Sequence, residues 1–183
     1  LVGIDIADAE GRLLYSTVAA RLPLDVERYG IADFEHFRVH LEGSEGLFVG
    51  QPYRGRMTGR WIVPFSRALV QAGRLHGVIV MSVSVDHLTR ALKELYPGPT
   101  NVAALVLNDG RFLAHSSQTE RAMGHSVPPD RPYLLDRTAL QGNFDATAPL
   151  DGVERFYAWH RVPRFPVVAA LGLSKAEALA PVL

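Results

Sequence analysis

The stretch Val102-Ala103-Ala104-Leu105-Val106-Leu107-Asn108-Asp109-Gly110-Arg111-Phe112-Leu113 reads as a β-hairpin. The apolar run 102–107 is a strand, Asn108-Asp109-Gly110 supplies residues that tolerate the positive φ of a tight turn, and 111–116 returns antiparallel. The same plan stands at the start of the chain. Residues 1–7 form an apolar, β-branched run, Asp8-Ala9-Glu10-Gly11 has turn chemistry, and 12–18 resumes as a strand. Aligning the turns sets Gly11-Arg12-Leu13-Leu14 beside Gly110-Arg111-Phe112-Leu113, with an apolar pair after each Gly-Arg. The chain carries a short internal repeat.

The ends of the two halves correspond as well. Residues 77–85 read as a strand followed by Asp86 and a helical run to Tyr96, and 166–173 read as a strand followed by Ser174. Ser174-Lys175-Ala176-Glu177 has the spacing of a capping box. Pro97-Gly98-Pro99 cannot continue a helix, because proline lacks the N–H and restricts the residue before it. The expected organisation is therefore two modules, 1–96 and 97–183, of α+β class, each an antiparallel sheet flanked by helices. Late in each half lie the longest strands: 59–69 and 75–85 joined through Gln71-Ala72-Gly73, and 154–161 leading to 166–173. By the period of two, Ile79, Met81 and Val83 share one wholly apolar face of the 75–85 strand, while Val78, Val80, Ser82 and Ser84 form a face that turns polar.

Composition narrows the function. Across 183 residues, 48% are apolar and 21% charged, which is ordinary globular usage. Lysine plus arginine equals aspartate plus glutamate at 19 each, so the basic excess of a non-specific nucleic-acid or anionic-membrane binder is missing. With no cysteine there is no disulfide framework, thiolate metal site or thiol nucleophile. No stretch approaches the roughly 18 uninterrupted apolar residues of a membrane helix. A start on Leu1-Val2-Gly3-Ile4 and an end at Leu183 within a helical run read as the edges of a piece cut from a longer protein.

Motifs that would carry chemistry are weak. His36 and His40 stand four apart in a helical run, a spacing that can present two imidazoles to zinc, but no third ligand follows at a recognisable distance. Two surface histidines beside inward-packing Phe37 and Leu41 are the simpler reading. His115-Ser116-Ser117 and Asp136 lack a nucleophile-elbow or triad context. The glycines form no phosphate-binding pattern. Phe156, Tyr157 and Trp159, alternating with Arg155 and His160, suit core packing better than base stacking. No cofactor, metal or nucleic-acid partner is implied.

The segments Gly50-Gln51-Pro52-Tyr53-Arg54-Gly55-Arg56-Met57-Thr58-Gly59-Arg60-Trp61, Ser66-Arg67 and Gly77-Val78-Ile79-Val80 resemble the first module of a double Cache sensor domain. Asn108-Asp109-Gly110-Arg111-Phe112-Leu113-Ala114, Asp151-Gly152-Val153-Glu154-Arg155, Pro166-Val167-Val168 and the run from Leu173-Ser174 onward resemble the second. The resemblance spans almost the whole chain. It implies tandem PAS-like modules in the periplasm, without enzymatic activity of their own. A long N-terminal helix and membrane spans on both sides would be missing here, and two copies would pair in the full receptor. The cytoplasmic output would be a diguanylate cyclase, histidine kinase or chemotaxis module, with 50–67 most like the cyclase-linked group. The first module would hold a small-molecule ligand among Tyr53, Arg56, Arg60, Trp61, Arg67 and Ser82. Arginines there suit a carboxylate or other anion. Amino-acid-sensing double Cache domains place an aspartate for the ligand ammonium near the position of Ser82, so an amino acid would lack its counter-ion. The competing expectation is a ligand-free dimerising spacer, its pocket packed shut by Trp61 and Phe65; an unrecognised hydrolase or metal enzyme stands behind both.

Overall fold

A computed structural model describes residues 2–21, 25–95 and 98–180. Leu1, the Tyr96-Pro97 part of the expected linker and the terminal Leu183 lie outside the described residues. The chain divides into two compact units, Leu1–Val85 and Asp86–Leu183.

In the first unit β1 (Val2–Asp8) and β2 (Leu13–Ser16) make the N-terminal hairpin, followed by α1 (Thr17–Arg21) and, after a short 3-10 turn, α2 (Glu35–Leu41). Two short strands, β3 (Phe48–Val49) and β4 (Tyr53–Arg54), precede the long pair β5 (Trp61–Gln71) and β6 (Arg74–Ser84). The sheet order is β2-β1-β6-β5-β3, with β4 also on β5 and every pairing antiparallel. The first strand thus lies between its hairpin partner and the last strand. Ala7, Leu13, Val78 and Val80 from one face of this sheet pack with Ile31 and Phe37 into the core. The face of β6 that turns polar is therefore the inward one. Its wholly apolar face points outward, where Met81 and its cross-strand partner Ile4 are each 40% exposed.

The second unit repeats the plan. After α3 (Val85–Leu95), β7 (Val102–Leu107) and β8 (Phe112–His115) form a hairpin, and α4 (Thr119–Ala122) and α5 (Pro132–Leu135) cross over to β9 (Gln141–Thr147), β10 (Glu154–Arg161) and β11 (Val167–Ser174). The order β8-β7-β11-β10-β9 again sets the first strand against the last, all antiparallel. Both hairpins use Gly-Arg in the same way. Gly11 and Gly110 take φ of 80° and 97°, values that suit glycine, and each following arginine donates its Nε to a turn aspartate at 2.8 Å, Arg12 to Asp8 and Arg111 to Asp109.

The compact units divide after Val85, the first residue of α3, where the sequence set the division at Pro97-Gly98-Pro99; Leu88 and Leu92 of this helix pack with Ala103, Leu105 and Ala114 of the second unit. The capping box is half built: Ser174 Oγ accepts from Glu177 N at 3.4 Å, but Ser174 N donates to Asn101 Oδ1 at 2.9 Å, so the reciprocal bond to Glu177 is replaced. The helix it opens is α6 (Lys175–Leu179).

Arg155 is the largest wholly buried side chain among the described residues, at 1% exposure. Its guanidinium makes paired bonds of 2.8 and 2.7 Å to Asp151, and its Nε donates to Thr100 O at 2.7 Å. One side chain thereby ties the turn before β10 to the approach to β7. Removing one member of a buried ion pair strands the other, at a cost of about 3–5 kcal/mol; Asp151 keeps some solvent contact, which favours the lower end. Arg155→Ala is expected to destabilise the protein by about 3 kcal/mol in urea unfolding, and Arg155→Lys to recover only part of this.

Candidate ligand-binding site

The inward face of the first sheet does not fill completely. Beyond the core, where Val78 and Val80 give way to Ser82 and Ser84, a cavity of about 400 Å³ opens. That volume falls within the usual range of small-molecule sites. β1 contributes Gly3 and Asp5 to its floor, which antiparallel register sets opposite Ser82 and Val80 of β6. Phe34, Tyr53 and Ile62 supply apolar wall, and Arg56 and Arg60 line it from the 55–60 loop.

The floor is electrostatically incomplete. Asp5 is 9% exposed, and its Oδ1 has no hydrogen-bond partner among the described residues; the same holds for Ser82 Oγ. Burial pushes the Asp5 carboxyl above its ordinary value, opposed by the Ser16 hydroxyl across the hairpin. Burial also raises the Tyr53 hydroxyl, reinforced by the charge of Asp5 and opposed by Arg56 and by the nearby Ser82 hydroxyl. Behind Tyr53 stands His36, stacked at centroid distances of 5.4 Å from Tyr53 and 5.1 Å from Phe34. Desolvation lowers this histidine to about 4, helped by His40 and opposed by Asp33, so near neutrality it is an uncharged prop for the aromatic wall.

Of the six residues singled out from the sequence, Tyr53, Arg56, Arg60 and Ser82 line the cavity. Arg56 is committed to structure: it donates to Gly30 O at 3.0 Å, pairs with Asp33 and lies over the Phe34 ring at 4.3 Å. Arg60 is exposed at the rim, with no ion pair among the described residues. Trp61 and Arg67 lie outside the lining. Trp61 pairs with Arg54 across β4 and β5, with the guanidinium 5.0 Å from the ring, and Arg67 alternates on β5 with the inward residues Pro64 and Ser66 and is exposed. Period-two alternation puts Arg67 on the opposite face. Asp5 was missed, because within an apolar strand it reads as an interruption.

The histidine pair is buried, not superficial: His36 is 2% and His40 3% exposed. His40 spends both ring nitrogens, on Ser44 O at 2.6 Å and Ser66 Oγ at 2.9 Å. No group of three or more metal-ligating side chains occurs among the described residues. In the second unit His115 is buried and held low, at about 4, chiefly by desolvation. Its Nδ1 accepts from the backbone N–H of Ser117 and of Gln118, which is a loop-shaping role. Trp159 is core, packed edge-on to Tyr133, whereas Phe156 is 42% exposed on the outer face, contrary to the expectation of a buried cluster.

No family profile matches this sequence, and no curated protein aligns significantly with it. Solved structures do match in fold. The extracellular domain assigned to the histidine kinase rpHK1S-Z16 superposes with a TM-score of 0.79 at 23% identity, over 97% of this chain and 72% of its own. The ligand-binding domain of the Pseudomonas aeruginosa PAO1 amino acid chemoreceptor PctB, in complex with L-Arg, gives 0.71 at 18%, over 100% and 69%. That of the Pseudomonas fluorescens chemoreceptor CtaA, in complex with L-isoleucine, gives 0.67 at 20%, over 98% and 71%. The fold is that of Cache-type extracellular sensor domains.

The state of Asp5 is open to direct test. A carboxyl raised by folding stabilises the protein below its unfolded value, near 3.9, and loses that contribution as pH climbs through the raised value. Asp5→Asn removes this penalty. The variant is expected to melt above the wild type at pH 7, with the difference shrinking as pH falls toward 4. An unchanged or lower melting point at pH 7 would show the carboxylate to be paired.

Proposed function

We propose that this chain is the extracytoplasmic sensor region of a bacterial membrane receptor, binding a small molecule in the cavity of its first unit. The observation that carries this reading is the cavity: about 400 Å³, with unsatisfied Asp5 and Ser82 on its floor and Arg60 at its rim. A spacer would be expected to fill this space, and neither Trp61 nor Phe65 enters it. The Cache-type fold supports the assignment. The resemblance in sequence supports a histidine kinase or diguanylate cyclase as output, two paired copies in the full receptor and a periplasmic location. No helix among the described residues is long and apolar enough to cross a membrane, so in this reading the spans lie in flanking segments. An acidic group on the ligand would meet the exposed guanidinium of Arg60, which can offer paired donors.

Binding to the folded state raises the melting midpoint by mass action, about 2.7 kcal/mol at a hundredfold excess over Kd. Differential scanning fluorimetry against a metabolite library should therefore yield a stabilising compound; the library includes organic acids, amines and the amino acids held by PctB and CtaA. For an acidic ligand, Arg60→Ala is expected to weaken binding about tenfold while leaving the unliganded melting point within about 0.5 kcal/mol of wild type. A library without a stabilising compound, or a ligand located in the second unit, would overturn the reading.

A further inference from the structure

We propose that the second unit holds a small monovalent anion, of the size of chloride, nitrate or formate, in a hollow beside Arg131 that Tyr133, Tyr157 and His115 complete as hydrogen-bond donors. Ala104 of β7 and Ala170 of β11, paired across the sheet, leave this space open between the inward face and the crossover that carries Arg131. Its volume is about 40 Å³, against about 400 Å³ for the cavity of the first unit. A water needs about 10–15 Å³ of such volume, so the hollow admits about three waters or one small ion and no larger metabolite. The ion is a constituent of the second unit, and its presence is independent of what the first unit senses.

Three observations converge. First, Arg131 is a buried cation, 9% exposed, with little to neutralise it. The one hydrogen bond its guanidinium makes among the described residues is from Nη1 to Asp130 Oδ1 at 3.1 Å, and the Asp130 side chain is 73% exposed, so water screens that pair. The guanidinium lies 5.4 Å from the Phe144 ring, which leaves the rest of its fork for a planar or spherical anion. Second, the other polar groups on the lining offer protons. His115 Nδ1 accepts from the backbone N–H of Ser117 and Gln118, which sets the proton of the neutral ring on Nε2, and Nε2 has no hydrogen-bond partner among the described residues. The Tyr133 hydroxyl also has none; burial raises it to about 12, opposed by Arg131, so near neutrality it is an intact O–H donor. Arg155 faces the hydroxyl oxygen of Tyr157, which leaves the proton of that hydroxyl to give. Third, the acidic side chain on the lining is already spent. Both oxygens of Asp151 accept from Arg155, at 2.8 and 2.7 Å, and Oδ1 accepts from Val153 N as well. The charge left over is that of Arg131. Water would satisfy the donors but leave this buried cation uncompensated, whereas an anion does both. Such an ion joins the start of α5, the end of β8 and the middle of β10.

The full chain is melted at constant ionic strength while sodium gluconate, too large for the hollow, is replaced by chloride, nitrate or formate. Each small anion is expected to raise the midpoint along a saturating curve. Nitrate is the sharpest probe, because weakly hydrated anions give no general stabilisation of the kind that excluded salts do. Arg131→Met should abolish the saturating response while still melting cooperatively in gluconate. Tyr133→Phe keeps the ring and should weaken apparent affinity about fivefold, as for one lost hydrogen bond. Crystals soaked in bromide should show an anomalous peak beside Arg131. Equal midpoints in gluconate and the small anions overturn the site, as does a hollow that holds water alone in the bromide crystals. A saturating response that Arg131→Met retains does the same, and if that variant fails to fold, unchanged affinity in Tyr133→Phe decides against the site.

Discussion

Each unit is closed by the pairing of its first strand with its last. In the first unit Val2 to Asp8 runs antiparallel to Val83 to Gly77, and in the second Val102 to Leu107 runs against Gly172 to Val167. These pairs join the sequence ends of each unit, so most of the chain must be enclosed between them as loops, hairpins and helices. The central position also buries the first strand on its inward face. Ala7 therefore enters the core and Asp5, two residues earlier on the same face, enters the cavity. Without this pairing, Asp5 and Ser82 would be distant in sequence and unrelated in space.

The cavity follows from a gradient along β6. Its inward face runs from Val78 and Val80, packed with Phe37 and Ile31, to Ser82 and Ser84, where side chains are too short to fill the space. The loop that covers this end is held by Arg56, whose bonds to Gly30 and Asp33 connect the 55–60 segment to the approach to α2. Behind it, His40 fixes the helix against the sheet through Ser66, and the uncharged His36 backs the aromatic wall. The second unit has the same strand order and invests its buried charge differently. There Arg155 and Asp151 satisfy one another, whereas Asp5 Oδ1 has no hydrogen-bond partner among the described residues. A closed ion pair fixes a structure, and an open carboxylate leaves a position that a ligand can complete.

Much of this was legible in the sequence. The repeated turn with its Gly-Arg gave the two hairpins, period-two alternation gave the faces of β6, and the late strand pairs gave the antiparallel sheets. All are local signals, which the backbone expresses without help from distant residues. β9 was harder to read because, as an edge strand with Gln141, Asn143, Asp145 and Thr147 exposed, its inward positions Gly142, Phe144 and Ala146 carry a single large apolar side chain. The unit boundary was set at the proline pair because helix-breaking chemistry is visible locally. The affiliation of α3 is not, for it depends on Leu88 and Leu92 meeting Ala103 and Ala114.

The site shows the same division. Residue type and spacing identified Tyr53, Arg56, Arg60 and Ser82, since polar and aromatic side chains beside a strand end are conspicuous. They also brought in Arg67, because arginines on one strand look alike until the sheet assigns them faces. By itself the sequence determined the kinds of element, the repeat and the absence of thiol chemistry or strong net charge. Only the tertiary structure decided which arginine is a strut, which is free at the rim, and that the charge at the floor of the cavity is negative. The reason is that burial and partnership belong to neighbours brought together by the pairing of β1 with β6, across some eighty residues of chain.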